Sequence, residues 1–164
     1  MSVGAKDILR QVVEFGHQVT QMYIADLNDA DLLVRSVPGA NHIAWQLGHL
    51  VVSTSHLIQA VGQPGLNLPA GFEAAYTTET AASDDPTKFA TKAEYIALMN
   101  QAKAASLAAI EATPESRFDE PMPEPMRSHI PTVSAVLAIL GTHWLMHAGQ
   151  FVPIRRKLGK KAMF

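Results

Sequence analysis

The chain contains no cysteine. Disulfides, thiolate metal sites and cysteine nucleophiles are thereby excluded, and any thiol chemistry would need a thiol carried in by a small molecule. Charge is also scarce: 17% of residues are charged against 48% apolar, with a net charge of −2. That balance excludes wholesale disorder and predicts extensive burial, part of it between subunits. The only dense basic run is Arg155, Arg156 and Lys157 with Lys160 and Lys161. It falls where a helix is expected to end, and cations there favour the helix dipole. The run reads as a solvated cap, and no nucleic-acid partner is expected. Met1 to Asp7 lack a continuous apolar core followed by a cleavage site. No signal peptide is therefore expected, and a cytoplasmic setting follows.

Pro131 to Ile154 has no Lys, Arg, Asp or Glu at all. By length alone it would cross a bilayer. It also carries Ser134, Thr142, His143, His147, Gln150 and Pro153. Polar groups along such a helix fit partners made of protein or metal rather than lipid, so no membrane span is expected.

At 164 residues the chain reads as a single domain, 1–164, with room for a real core. No strand pattern competes with helical periodicity. A first helix is predicted from Ala5 to Leu27, with Ile8, Val12, Phe15, Val19, Met22 and Tyr23 as its packed face. Asn28 to Ala40 is a connector that opens on a short helical turn and stops at Pro38-Gly39. The second helix runs from about Asn41, its N-cap, to Val61. It has no charged side, which predicts burial nearly all round and a subunit interface along one face. Gly62 to Ala90 is long, non-periodic and rich in Pro and Gly, and such a segment is either disordered or a functional lid. Thr91-Lys92-Ala93-Glu94 is a capping box for a third helix that ends near Ala112. A prolyl connector, Asp119 to Pro131, leads to a fourth helix capped by Thr132 and ended by Gly159. The expected architecture is all-α, a four-helix bundle with long connections after helices two and three.

His143 and His147 lie four residues apart on the fourth helix, so their side chains share one face. Two neutral imidazoles there can bind one metal ion, and a third ligand must come from a facing helix. On the second helix His42, Trp45, Gln46, His49, Val52, Ser53 and His56 form one stripe. His42, His49 and His56 are spaced by sevens, roughly 10 Å apart along the axis. At most one of them can join the pair. Trp144, not glutamate, follows His143, so the zincin motif and its general base are absent. On spacing alone, core histidines that hydrogen-bond to other side chains remain an alternative to a metal site. His17, a single histidine on the first helix, reads as packed or solvated rather than as a ligand.

Two stretches carry a resemblance. Asn41-His42-Ile43-Ala44-Trp45-Gln46-Leu47-Gly48-His49-Leu50 and His143-Trp144-Leu145-Met146-His147-Ala148-Gly149-Gln150 resemble the DinB-like/YfiT-like family of metal-binding four-helix bundles. The likeness spans nearly the whole chain. The family pattern is a tryptophan followed four residues later by a ligand histidine, then HxxxHxGQ. The resemblance selects His49 and implies a His49/His143/His147 site with open positions for water or substrate. It implies a divalent metal, zinc or nickel, a small-molecule substrate and a homodimer. Relatives include thiol-dependent transferases and isomerases that use low-molecular-weight thiols such as bacillithiol or mycothiol, so a thiol cosubstrate is implied beside the metal. The chain is thus expected to be either a thiol S-transferase or small-molecule hydrolase, or a non-catalytic metal-binding or structural bundle. Trp45, Gln46, Ser53 and Gln150 are candidates for the pocket wall or for outer contacts to the ligands. No catalytic acid or base can be named from the sequence.

Overall fold

A computed structural model describes residues 3–162. Met1 and Ser2, part of the leader reading above, lie outside the described residues. Four long helices dominate: α1 (Ala5–Ile24), α3 (Ile43–Ala60), α4 (Lys92–Ala112) and α5 (Val133–Lys157), with the one-turn α2 (Asp29–Leu32) between the first two. The described residues contain no strand, only an isolated bridge between Pro121 and Thr132.

The order of helix directions explains the longer connection, the one after α3. Gly16 and Gly141 are in backbone contact, and Thr20 reaches the Trp144 carbonyl further along, so α1 and α5 run parallel. Lys6 reaches the carbonyl of Glu111 and Lys92 those of Ala25 and Leu27, so α4 runs against α1. Thr54 meets Trp144 and Gln46 meets His147, so α3 runs against α5. The sequence of directions is therefore up, down, down, up. Joining two parallel helices requires a return along the bundle, about 27 Å for an 18-residue helix at ~1.5 Å per residue. Residues 61–91 make that return.

This crossover is ordered and lies along α3, stepping back one contact at a time. The amide of Leu66 donates to Ser55 Oγ, and the Tyr76 ring lies on Gly48. Trp45 Nε1 donates to the Thr77 carbonyl and Thr80 Oγ1, and His42 Nε2 to the Ser83 carbonyl. Three short 3-10 turns give it shape: Glu73–Tyr76, Thr80–Ala82 and Pro86–Lys88. It is the crossover that covers the charge-free side of α3. The expected burial of that helix is thus largely met within one chain.

The helix ends follow local rules, with some corrections. Thr91 and Glu94 form the expected capping box, Thr132 Oγ1 accepts from the Ala135 amide, and Gly159 takes a positive φ of 71° after α5. At α3 the cap is His42 rather than Asn41: its Nδ1 accepts from the Trp45 amide. On α1 the packed face is rotated by one position. Leu9, Val13, Gly16, Val19, Thr20, Tyr23 and Ile24 are buried, whereas Ile8 and Phe15 stay more than half exposed, at 55% and 53%. The close approach of Gly16 to Gly141 sets that rotation, because it turns the small residue, not Phe15, toward α5. Arg155 is not part of a solvated cap. It is buried, donating to the Tyr23 carbonyl and to Asp26, and it ties α5 to the end of α1.

His17 is packed, stacked on the Trp144 ring at 4.2 Å between centroids. Neither ring nitrogen meets a hydrogen-bond partner among the described residues. Burial, helped by Lys103, lowers its pKa to about 3. The unfolded chain binds this proton near pH 6.5 and the folded one does not. Above about 6.5 the ring is neutral in both states and its ionisation costs nothing; as the pH falls from there toward the folded value, only the unfolded chain takes the proton and stability declines. Replacement by phenylalanine removes a buried polar group that has no partner. His17→Phe is expected to stabilise the fold by about 1–3 kcal/mol and to flatten the acid side of its stability profile. Urea melts at neutral and acid pH check both effects.

Candidate metal centre

Three side chains from two helices converge. His143 and His147 project from α5 with Nε2 atoms 3.2 Å apart and ring centroids 4.8 Å apart. His49 of α3 faces both, at 5.3 Å from each ring. One nitrogen from each residue can be chosen so that all three lie within 4.8 Å of one another. The heptad ambiguity is resolved by helix level. His42 caps the start of α3, and His56 lies two turns beyond His49, paired with Glu73 of the crossover.

Neighbouring side chains hold this geometry. Gln46 sits on the stripe of His49, yet its Oε1 accepts from His147 Nδ1 at 2.8 Å. The same amide donates to the Asn41 carbonyl, which fixes its orientation. With the proton held on Nδ1, the His147 Nε2 lone pair is left facing His143 and His49. An outer carbonyl that orients a ligand imidazole is a common feature of metal centres. The Trp45 ring stacks on His49 at 5.0 Å and 7° between planes. Because the Trp45 indole is also bonded to Thr77 and Thr80, the crossover holds the stack and hence the ring of His49. Trp144, next to His143 in sequence, is fully buried in the core between α1 and α3. Its Nε1 donates to Thr54 of α3, which ties α5 to α3 close to the two histidines.

The pocket candidates divide. Trp45, Gln46 and Ser53 are at the site, Ser53 Oγ lying 3.4 Å from His49 Nε2. Gln150 is exposed on α5, and among the described residues no hydrogen bond joins it to the three histidines. The crossover residue Glu73, beside His56, was not singled out from the sequence. It lies in a segment without periodicity, where no sequence signal points to α3.

Electrostatics favour the neutral imidazole at each position. Burial lowers the pKa of His49. Burial and the neighbouring His49 lower His143 to about 4, and burial with His143 and His49 lowers His147 to about 3. Three converging neutral nitrogen donors, one of them oriented by a carbonyl, fit a divalent ion such as zinc. The same shifts predict the pH dependence of loading. Protons compete for these donors only below the ordinary histidine value of about 6.5. The metal-to-protein ratio after dialysis is expected to stay flat as pH falls through that value and to drop only below it. Circular dichroism on the same samples separates metal loss from unfolding.

Beside His143 lies a cavity of about 310 Å³ lined by Ser53, His56, Leu57, Ile130, Ile139 and His143. One wall thus carries a candidate ligand, and most of the rest is apolar.

No curated protein matches this chain. Solved structures do. A conserved protein from Enterococcus faecalis superposes with a TM-score of 0.75 at 16% identity, covering 97% of this chain and 100% of its own. YfiT from Bacillus subtilis, described as a probable metal-dependent hydrolase with an unusual four-helix bundle topology, superposes with a TM-score of 0.67 at 18% identity. That match covers 95% of this chain and 89% of YfiT. At these identities the likeness establishes the fold. The DinB superfamily model matches residues 13–151, a span that holds all three histidines, Trp45 and Gln46, and this chain belongs to the DinB superfamily.

Proposed function

We propose that this chain is a metal-dependent hydrolase of a small molecule, with zinc or nickel held by His49, His143 and His147. The observation that carries this reading is the convergence of three neutral imidazoles within 4.8 Å beside an open cavity that shares His143. Catalytic zinc sites characteristically use three protein ligands and leave a position open. A bound ion of this kind supplies Lewis acidity and lowers the pKa of water or of a thiol near neutral pH. The residues of the chain do the rest. Gln46 holds the proton of His147 on Nδ1, and Trp45 keeps the His49 ring in plane. Leu57, Ile130 and Ile139 exclude water from an apolar part of the substrate.

Transfer to a low-molecular-weight thiol is the second reading. It is supported by the family resemblance and by the lack of any cysteine in the chain, which leaves a thiol nucleophile to be supplied from outside. One experiment separates the readings. Protein reconstituted with zinc or nickel is offered ester, amide and electrophilic alkyl substrates, with and without glutathione or a related thiol. Metal-dependent turnover without thiol is the expected result. Turnover only with thiol selects the transferase, and full metal loading without turnover of any class selects a non-catalytic bundle.

The assembly we infer is a homodimer in the cytoplasm. Its support is the family resemblance together with apolar side chains left exposed on two helices, Ile8 and Phe15 of α1 and Met146 of α5. Sedimentation at micromolar concentration that finds only monomer would count against it.

A further inference from the structure

The cavity beside the metal centre is lined by a second histidine, His56, besides His143. His56 lies seven residues after His49 on the same face of α3, with Ser53 between them. Glu73, delivered by the first 3-10 turn of the crossover, places Oε1 2.7 Å from His56 Nε2. Both side chains are more than half exposed, so as a surface ion pair this contact stabilises the fold little. Its chemical consequence is larger. A carboxylate only accepts hydrogen bonds, so in the neutral ring the proton sits on Nε2 and the lone pair on Nδ1. His56 and His143 line the same cavity. A substrate held there would contact both the candidate ligand His143 and the oriented imidazole of His56. Ser53, Leu57, Ile130 and Ile139, the remaining lining residues, include no carboxylate, lysine or arginine that could carry a proton instead.

We propose that His56 is the acid–base group of this site and Glu73 the residue that positions it. The proposal rests on the hydrolase reading above and supplies the proton carrier that the three candidate ligands cannot provide, since their lone pairs serve the metal. As the oxygen of water bonds to an acyl carbon, its proton passes to Nδ1 of His56. As the bond from that carbon to the leaving oxygen or nitrogen breaks, Nδ1 returns the proton to the leaving group. One water is consumed, the imidazole ends neutral, and no oxidant or reductant is needed. Glu73 retains the Nε2 hydrogen bond throughout and stabilises the transient imidazolium. The apolar walls suit a short acyl or aryl group.

Two measurements test this, one independent of metal and turnover. In the metal-free protein, diethylpyrocarbonate reacts with neutral imidazole nitrogens, and mass spectrometry of peptides resolves each histidine. His129, also exposed, serves as an internal reference. In mildly alkaline buffer His56 is expected to react severalfold faster than His129, and Glu73→Gln to bring the two rates together. In the zinc-loaded protein, with phenyl acetate as probe, His56→Gln is expected to lower kcat by about 10²-fold or more at unchanged metal content. Glu73→Gln is expected to lower it less, and added imidazole to restore part of the activity of His56→Gly. Equal carbethoxylation of His56 and His129 in the parent overturns the proposal, as does undiminished zinc-dependent turnover in His56→Gln. If the parent turns over no ester, the hydrolase reading fails by itself, and the carbethoxylation rates still decide whether Glu73 activates His56.

Discussion

His49→Ala is expected to strip the protein of most of its metal while leaving the four long helices in place. Alanine is the best helix former, so α3 loses nothing in propensity. What is lost is the one donor that α3 contributes. The His143/His147 pair alone spans only one side of an ion, and both residues move together on α5. Removing a partner that merely orients a ligand costs about 10–100-fold in metal affinity, and removing a ligand itself should cost more than that. The controls sit on the same helix. His56→Ala leaves all three donors and should bind a full equivalent. His42→Ala also leaves them but removes the α3 cap and its bond to Ser83, so it should lose about 0.5–2 kcal/mol of stability with metal stoichiometry kept. Elemental analysis of the purified variants beside the parent reads all of this out. Full occupancy in His49→Ala with loss in His42→Ala or His56→Ala would mean that the ligand set is wrong.

The largest expected loss of stability comes from a single methyl group. A Cβ on Gly141 would stand 2.5 Å from the Val12 carbonyl oxygen and 2.7 Å from the Val13 amide nitrogen. These are backbone atoms of α1 and cannot rotate away. A Cβ on Gly16 meets the Gly141 carbonyl oxygen at 2.4 Å from the other side. Either substitution must push α1 and α5 apart along their most extensive shared contact. Overpacking a core costs typically 1–3 kcal/mol when side chains can adjust, and here none can. Gly141→Ala should therefore exceed about 3 kcal/mol and lower the melting temperature by at least about 6–12 °C at the scale of ~2–4 °C per kcal/mol. It should also weaken metal binding, because Gly141 lies only two residues before the candidate ligand His143 on α5. A melting temperature within a few degrees of the parent would show that the two helices can separate without penalty. The Gly48 contact with the Tyr76 ring is similar in closeness but not in kind, because it presses on a side chain of the crossover rather than on a helix.

Local chemistry alone determined much of this protein. Four long helices, their caps at Thr91 and Thr132, the stop at Gly159 and the pairing of His143 with His147 follow from periodicity, capping and the 3.6-residue turn. These depend on residues at most a few positions apart, and such relations survive in a linear sequence. The same spacing narrowed the third ligand to three histidines without choosing among them. The choice came from the likeness of Trp45 and His49 to a family pattern, and helix level in the bundle agrees with it.

Tertiary structure decided what depends on contacts between distant segments. The face of α1 was misread because Ile8 and Phe15 are as apolar as the residues that are buried, and only the Gly16–Gly141 contact sets the rotation. The crossover that covers α3 is not legible in the sequence, because no periodic signal marks residues 62–90 as a return path. That path exists because two consecutive long helices run parallel, a property of topology and not of any residue. Gln46 serves His147 across 101 positions of chain, and Glu73 meets His56 from within the crossover. Hydrogen bonds of this kind require directions and distances that composition and spacing do not encode.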